Sequence, residues 1–187
     1  IVCYLDSNHS KLKRMKKIYP WMAAIMIVMA CSTLVKSQST SSLMLNGSGA
    51  NVDVLGSPTT NLTRGSWGAW IKFSAFDNTY QRIIYKEGDI ELFYINAAKR
   101  IEAEIVVNGS RHEVTTDSSS LEFVTDQWYH VMATYDSLQL SLYVDGKLVD
   151  TNTAPTGDIT DNSGNWGIGA NYDSNAWTFE GEIDEVT

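Results

Sequence analysis

Several groups in this chain have the residue types and spacing for chemistry. Glu182 and Asp184 are one residue apart in Glu182-Ile-Asp-Glu-Val-Thr187. Strand alternation would put both carboxylates on one face, and a retaining glycosidase uses two carboxyls about 5–5.5 Å apart. Gly169-Ala-Asn-Tyr-Asp-Ser-Asn-Ala-Trp177 mixes two amides and one carboxylate with two aromatic rings. Sugars are gripped by a flat ring under their C–H faces and by planar polar groups reaching their hydroxyls. Tyr172, Asp173, Asn175 and Trp177 are therefore the candidate carbohydrate-binding set. Trp67 and Tyr80 are further candidates. The competing reading of Trp177 is an indole folded over the edge of the domain. Asp161-Asn-Ser-Gly-Asn165 has the look of a calcium loop but lacks the Glu that an EF-hand needs near its end, so it reads as a turn.

These groups must be held by strands. From Leu43 onward apolar residues recur at period two, with turn signals every 8–12 residues, the pattern of an all-β sandwich or barrel. Asn108-Gly109 separates Ile101–Val107 from Ser110–Thr115, and Asp145-Gly146 separates Leu138–Val144 from Lys147–Val149. Both dipeptides favour a type I′ hairpin turn. Leu138, Leu140, Leu142 and Val144 share one face, while Gln139, Ser141, Tyr143 and Asp145 share the other. Further strands are expected at Ser41–Leu45, Asn51–Val54, Ser66–Phe73, Arg82–Tyr85, Ile90–Ile95, Trp128–Tyr135, Trp166–Ala170 and Phe179–Val186. In Trp128–Tyr135 both alternating sets are largely apolar, which predicts a central strand covered on both faces. His130 is then a packing and hydrogen-bonding residue, and Trp70 and Trp128 belong to the core.

The front of the chain carries a different message. Lys11-Leu-Lys-Arg-Met-Lys-Lys17 precedes an apolar run from Ile18 to Ala30, followed by small polar residues to Ser37. That run is shorter than the roughly 20 residues of a membrane-spanning helix and fits an export signal. The expected divisions are 1–14, an upstream or non-native extension; 15–37, a signal peptide; 38–42, a Ser/Thr leader; and 43–187, one all-β domain clipped at its C-terminal end. Cleavage before Gln38 is one outcome. Lipidation at Cys31, in Val28-Met-Ala-Cys31, is the other, and would make a lipoprotein of the outer membrane. Either route leads to a secreted or cell-surface protein, with no transmembrane helix in its mature form.

The whole chain has a formal charge of −8. Residues 1–37 hold six Lys/Arg and one acid, so the remainder carries eight bases and 21 acids, or −13. Nucleic acid and anionic membranes are thereby disfavoured as partners, while neutral sugars and divalent cations are not. Both cysteines, Cys3 and Cys31, precede the domain. No disulfide staples it, and its size of about 150 residues suffices for a core, burying about 70% of its unfolded surface.

The order of the hairpins resembles a known family. Leu43–Val54 is similar to the opening strand pair of the laminin-G-like jelly roll, within the concanavalin A-like lectin/glucanase fold. Ser66-Trp-Gly-Ala-Trp-Ile-Lys72 resembles its Trp-centred strand, and Ile83-Ile-Tyr-Lys-Glu-Gly88 its aliphatic pair, Lys and Gly turn. Gln127-Trp-Tyr-His-Val-Met-Ala-Thr-Tyr-Asp136, Leu142-Tyr-Val-Asp-Gly-Lys147, Trp166-Gly-Ile-Gly169 and Phe179-Glu-Gly-Glu-Ile-Asp-Glu-Val186 follow in the family's order.

The resemblance implies a jelly-roll sandwich of two antiparallel sheets. It also implies a non-catalytic recognition module for a glycan or cell-surface polysaccharide. The alternatives are a protein–protein adhesion or spacer domain of a larger extracellular protein, and a glycoside hydrolase. Glucanases of this fold carry Glu-x-Asp-x-x-Glu on a mid-domain strand. Here Glu182-Ile-Asp184 lies on the last strand, and Thr187 stands where the acid/base Glu belongs. In laminin-G-like relatives an Asp of the last strand helps hold structural calcium against the opening loop, which implies Asp184 with the Asn46-Gly47 turn as a calcium site. Family members often have Asp at the position of Asn46. The competing role for Asp184 is capping backbone amides at a strand end.

Overall fold

The computed structural model describes residues 41–86, 88–160, 163–172 and 176–187. The expected export segment, with Cys31, lies outside the described residues. So do part of the Asp161–Asn165 turn and two members of the carbohydrate-binding set, Asp173 and Asn175.

The described residues form twelve strands: β1 (Leu43–Asn46), β2 (Val52–Val54), β3 (Gly65–Phe73), β4 (Tyr80–Lys86), β5 (Ile90–Ile95), β6 (Arg100–Val107), β7 (Ser110–Thr115), β8 (Trp128–Tyr135), β9 (Leu140–Val144), β10 (Lys147–Asn152), β11 (Trp166–Ile168) and β12 (Glu180–Asp184). They make two six-stranded antiparallel sheets. The first runs β1-β12-β3-β8-β9-β10 and the second β2-β11-β4-β5-β6-β7. The expected hairpins are present. Asn108 and Gly109 have φ of 51° and 73°, and Asp145 and Gly146 of 49° and 72°, the double positive φ of a type I′ turn.

The sheets face each other across one apolar interior. Trp67, Ala69, Ile71 and Phe73 of β3 point into it, as do Tyr129, Val131, Ala133 and Tyr135 of β8, and the second sheet supplies Ile90, Leu92, Ile101, Ala103 and Ile105. At one end Phe73 is ringed by Phe76, Tyr94, Phe123 and Phe179, with centroids 4.9–6.0 Å away. Tilted and edge-on rings at such spacings add directional attraction to simple burial.

Four expectations are corrected here, most of them by period-two alternation. β8 is central, between β3 and β9, but only one of its faces is covered. Trp128, His130, Met132 and Thr134 are half-buried on the outer face. Trp70 lies there too, its ring 5.1 Å from that of His130. Trp70 and Trp128 are therefore not core residues. Trp67, three residues from Trp70, has the opposite parity and is 1% exposed, so it cannot meet a ligand. Leu138 precedes β9 and is exposed, while Leu140, Leu142 and Val144 are buried as expected.

β12 joins the two ends of the domain, pairing with β1 on one side and β3 on the other. Its Gly181 has φ +149°, and a Cβ there would stand 2.0 Å from the Lys72 carbonyl oxygen. Replacing Gly181 by Ala should therefore destabilise the domain by about 2 kcal/mol or more. The check is a lower urea midpoint at unchanged slope.

Candidate functional site

The polar groups that the sheets bring together lie on the outer face of the second sheet. Register places Glu91, Glu104 and Glu113 side by side on β5, β6 and β7, and sets Arg82 of β4, Phe93 and Glu102 in the neighbouring row. Three like charges in one row are unfavourable unless neutralised, and arginines intervene. Arg82 pairs with Glu91, Arg111 with Glu104 and, at 3.7 Å, with Glu91, and Arg100 with Glu102 at 2.8 Å. Arg82, Glu91, Glu102 and Glu104 are all buried. Charges taken this far from water persist only when paired and hydrogen-bonded.

Arg82 is the hub. Its guanidinium lies 4.4 Å from the Phe93 ring centre, 4.6 Å from that of Trp177 and 5.3 Å from that of Tyr85. Its Nε donates to Asn171 Oδ1 at 2.9 Å. Burial pulls the group below its ordinary pKa, and Glu91 opposes this. Trp177 therefore rests on a fixed cation through a cation–π contact. Its other neighbour is Tyr80, with ring centres 5.3 Å apart. The connection that carries it is tied down: Arg82 N donates to Trp177 O, Asn171 N to Ala176 O and Phe179 N to Gly169 O. Trp177 has φ 57°, unusual for a bulky residue, and is 44% exposed.

Of the candidate carbohydrate-binding set, Trp177 is thus brought together with Tyr80, one of the two further candidates. Tyr172 is half-buried near β11, where a Cβ on Gly167 would come within 2.8 Å of the Tyr172 nitrogen. Sequence reasoning missed Arg82, Glu91 and Asn171. The one local trace was Glu102-Ala-Glu104, two acids on one face of an otherwise apolar strand.

The predicted calcium set is not assembled. Asn46 pairs with Glu180, whereas Asp184 pairs with Trp70, four residues further along β12, or about 13 Å at strand rise. Asp184 Oδ1 accepts the Glu185 N–H, in line with a strand-end capping role. The Gly47 carbonyl accepts from Asn78 Nδ2 and Thr178 Oγ1, and Asn46 Oδ1 accepts the Ser48 N–H. Calcium needs six to eight oxygens, and these residues do not fit it. Glu182 is engaged on the outer face of β12. Hydrogen bonds from Lys72 and Ser42 hold its carboxylate below the usual range.

Glu102, Glu104 and Glu113 each place a carboxylate oxygen within 4.8 Å of the others, a group that could hold a metal ion. Arg111 and Arg100 now supply the compensating charge. Burial, then the hydrogen bond to Glu102 and the charge of Glu91, push Glu104 up to about 8. Its folded pKa thus exceeds its ordinary value of 4.5. The stabilising contribution of its proton is complete below that value and is lost as pH rises through about 8. Melting temperature should therefore fall as pH rises from about 4.5 to about 8 and level off above it, and Glu104→Gln should flatten that fall. Thermal melts across this range check both.

The likenesses of the chain agree with this architecture. Among solved structures it resembles a candidate carbohydrate-binding protein of Bacteroides ovatus, at 23% identity and TM-score 0.57, covering 73% of this chain and 40% of that one. It resembles the carbohydrate-binding module CBM40 of the Ruminococcus gnavus IT-sialidase, at 18% identity and TM-score 0.56, covering 78% and 87%. It also resembles domains LG4-5 of the mouse laminin α1 chain, at 15% identity and TM-score 0.57, covering 81% and 41%. The chain thus spans less than half the length of the first and third. No match was found among curated protein sequences. The laminin-G family model described as concanavalin A-like lectin/glucanases superfamily matches residues 37–187, and the chain belongs to that family.

Proposed function

We propose that this domain is a secreted or surface-displayed, non-catalytic module that binds a glycan at the Trp177–Tyr80 patch. The observation that carries the reading is an indole 44% exposed yet held in place from below by Arg82. A ring fixed before the ligand arrives loses little entropy on binding, and a sugar C–H face needs such a ring. Binding modules prevail among the structural relatives, one of them solved with sialyllactose bound, which supports a glycan as ligand. Arg82 Nε and Nη1 are engaged by Asn171 and Glu91, which fixes the guanidinium against the Trp177 ring. The export-signal reading of residues 15–37 supports an extracellular location.

A glycan array with wild type and Trp177→Ala tests this. Wild type should retain a defined set of glycans, and the variant should bind them roughly tenfold more weakly or not at all. If wild type binds none, the domain is a protein-adhesion or spacer module instead.

Structural calcium is not part of the proposal. A bound ion must stabilise the native state, so excess chelator should leave the melting temperature unchanged. A drop that added calcium restores, and that Glu113→Ala abolishes, would identify the Glu102–Glu104–Glu113 group as an ion site.

A further inference from the structure

The opposite side of the sandwich, the outer face of the first sheet, carries a second arrangement. Register aligns Ser66, Thr134, Ser141 and Thr151 in one row across β3, β8, β9 and β10. At strand spacings of roughly 4.8 Å this row of hydroxyl residues is about 14 Å long. The adjacent row, Gly68, Met132, Tyr143 and Leu148, is larger and less polar beyond its glycine. The small side chains leave a depression between this row and the turn after β8. Its volume is ≈ 330 Å³, and Ser66, Thr134, Asp136, Gln139, Ser141 and Tyr143 line it. That is the small end of the roughly 300–1,000 Å³ range of ligand pockets.

The polar groups here are set in fixed directions. Ser141 is only 3% exposed. Its Oγ accepts from Gln139 Nε2 at 2.9 Å, which leaves its hydroxyl proton to donate. Asp136 Oδ1 accepts the N–H groups of Leu138 and Gln139 at 3.0 and 2.8 Å. Those bonds hold the carboxylate below the usual range, so it is an ionised acceptor at neutral pH. Tyr143 supplies a half-buried ring at the wall. No Lys or Arg lines the depression. The nearby Arg64 is paired with Asp158 at 2.9 Å. An anionic ligand would meet Asp136 with no cation to offset it.

We infer that this depression is a second ligand site, taking one neutral sugar unit whose hydroxyls meet Asp136, Gln139 and the Ser/Thr row while its C–H face lies on Tyr143. It lies on the sheet opposite to that of Arg82 and does not depend on the Trp177 reading. A chain with both sites would engage a polysaccharide from two sides, gaining avidity without new contacts at either.

The test is amide-resolved NMR titration of the full chain with glucose, galactose, mannose, N-acetylglucosamine, cellobiose and lactose. At least one should give saturable shifts centred on the amides of Ser66, Thr134, Ser141 and Tyr143. Gln139→Ala and Tyr143→Ala should each weaken that binding roughly tenfold, whereas Trp177→Ala should leave it intact. Ser66→Tyr, which fills the depression without removing a contact, should abolish it, and it preserves the test if Tyr143→Ala does not fold. Absence of saturable shifts at these amides with every sugar, or undiminished binding in Gln139→Ala and Ser66→Tyr, overturns the site. Loss of shifts at Trp177 and Tyr80 alone would count against the Trp177 patch and not against this one.

Discussion

Everything on the surfaces of this domain follows from the parity of its strands. Each strand gives one of its two faces to the shared interior, so a residue's role is decided by whether its position is odd or even relative to its neighbours. β3 shows this most plainly. Trp67 and Trp70 are chemically identical and three positions apart. The first is sealed against the second sheet, and the second lies on the outer face beside His130. A one-residue slip would exchange them and turn Ile71 and Phe73 out to water. The pairing of β3 with both β8 and β12 prevents that slip, because two registers would have to move together.

The same constraint explains the buried charges. Glu91, Glu102 and Glu104 alternate with Ile90, Leu92, Ile101 and Ala103 on β5 and β6. Once the apolar set faces inward, the acids must share the outer face, three of the face's acids abreast across β5, β6 and β7. Arg82 and Arg111, with the proton that Glu104 keeps up to about pH 8, are what makes that tolerable. Such a network adds little net stability over an apolar surface of the same shape. What it does here is fix geometry. Arg82 is held by Glu91 below and Asn171 at its side, and so presents a flat, oriented cation on which the Trp177 ring settles.

Much of the architecture was legible from local signals. The Asn108-Gly109 and Asp145-Gly146 turns announce their hairpins because few other dipeptides accept two successive positive φ values. Strand positions followed from alternation and turn punctuation. The site was less legible because its members meet only through pairing. Arg82 reaches Glu91 across one hairpin and Asn171 from a separate strand connection, and no spacing rule links 82 to 171. Asp184 failed to reach the Asn46-Gly47 turn for the same reason, since only the register shows that Glu180 is the residue beside Asn46. Parity itself was readable on β3 and β8. What alternation alone does not tell is which of two aromatic-rich faces will find a second sheet to cover it.

The two outer faces end up chemically unlike each other, and the cause lies in strand composition. On the second sheet, long charged side chains reach across strands, neutralise one another and leave a closed polar layer with one aromatic rim. On the first sheet the row Ser66, Thr134, Ser141, Thr151 offers only short side chains. They do not fill the space above the sheet. A depression with hydroxyls at its floor is the result, bordered by Tyr143 on one side and by the Asp136–Gln139 turn on the other. Shortness, which would be a packing defect in the interior, is on the outside what leaves room for something else to bind.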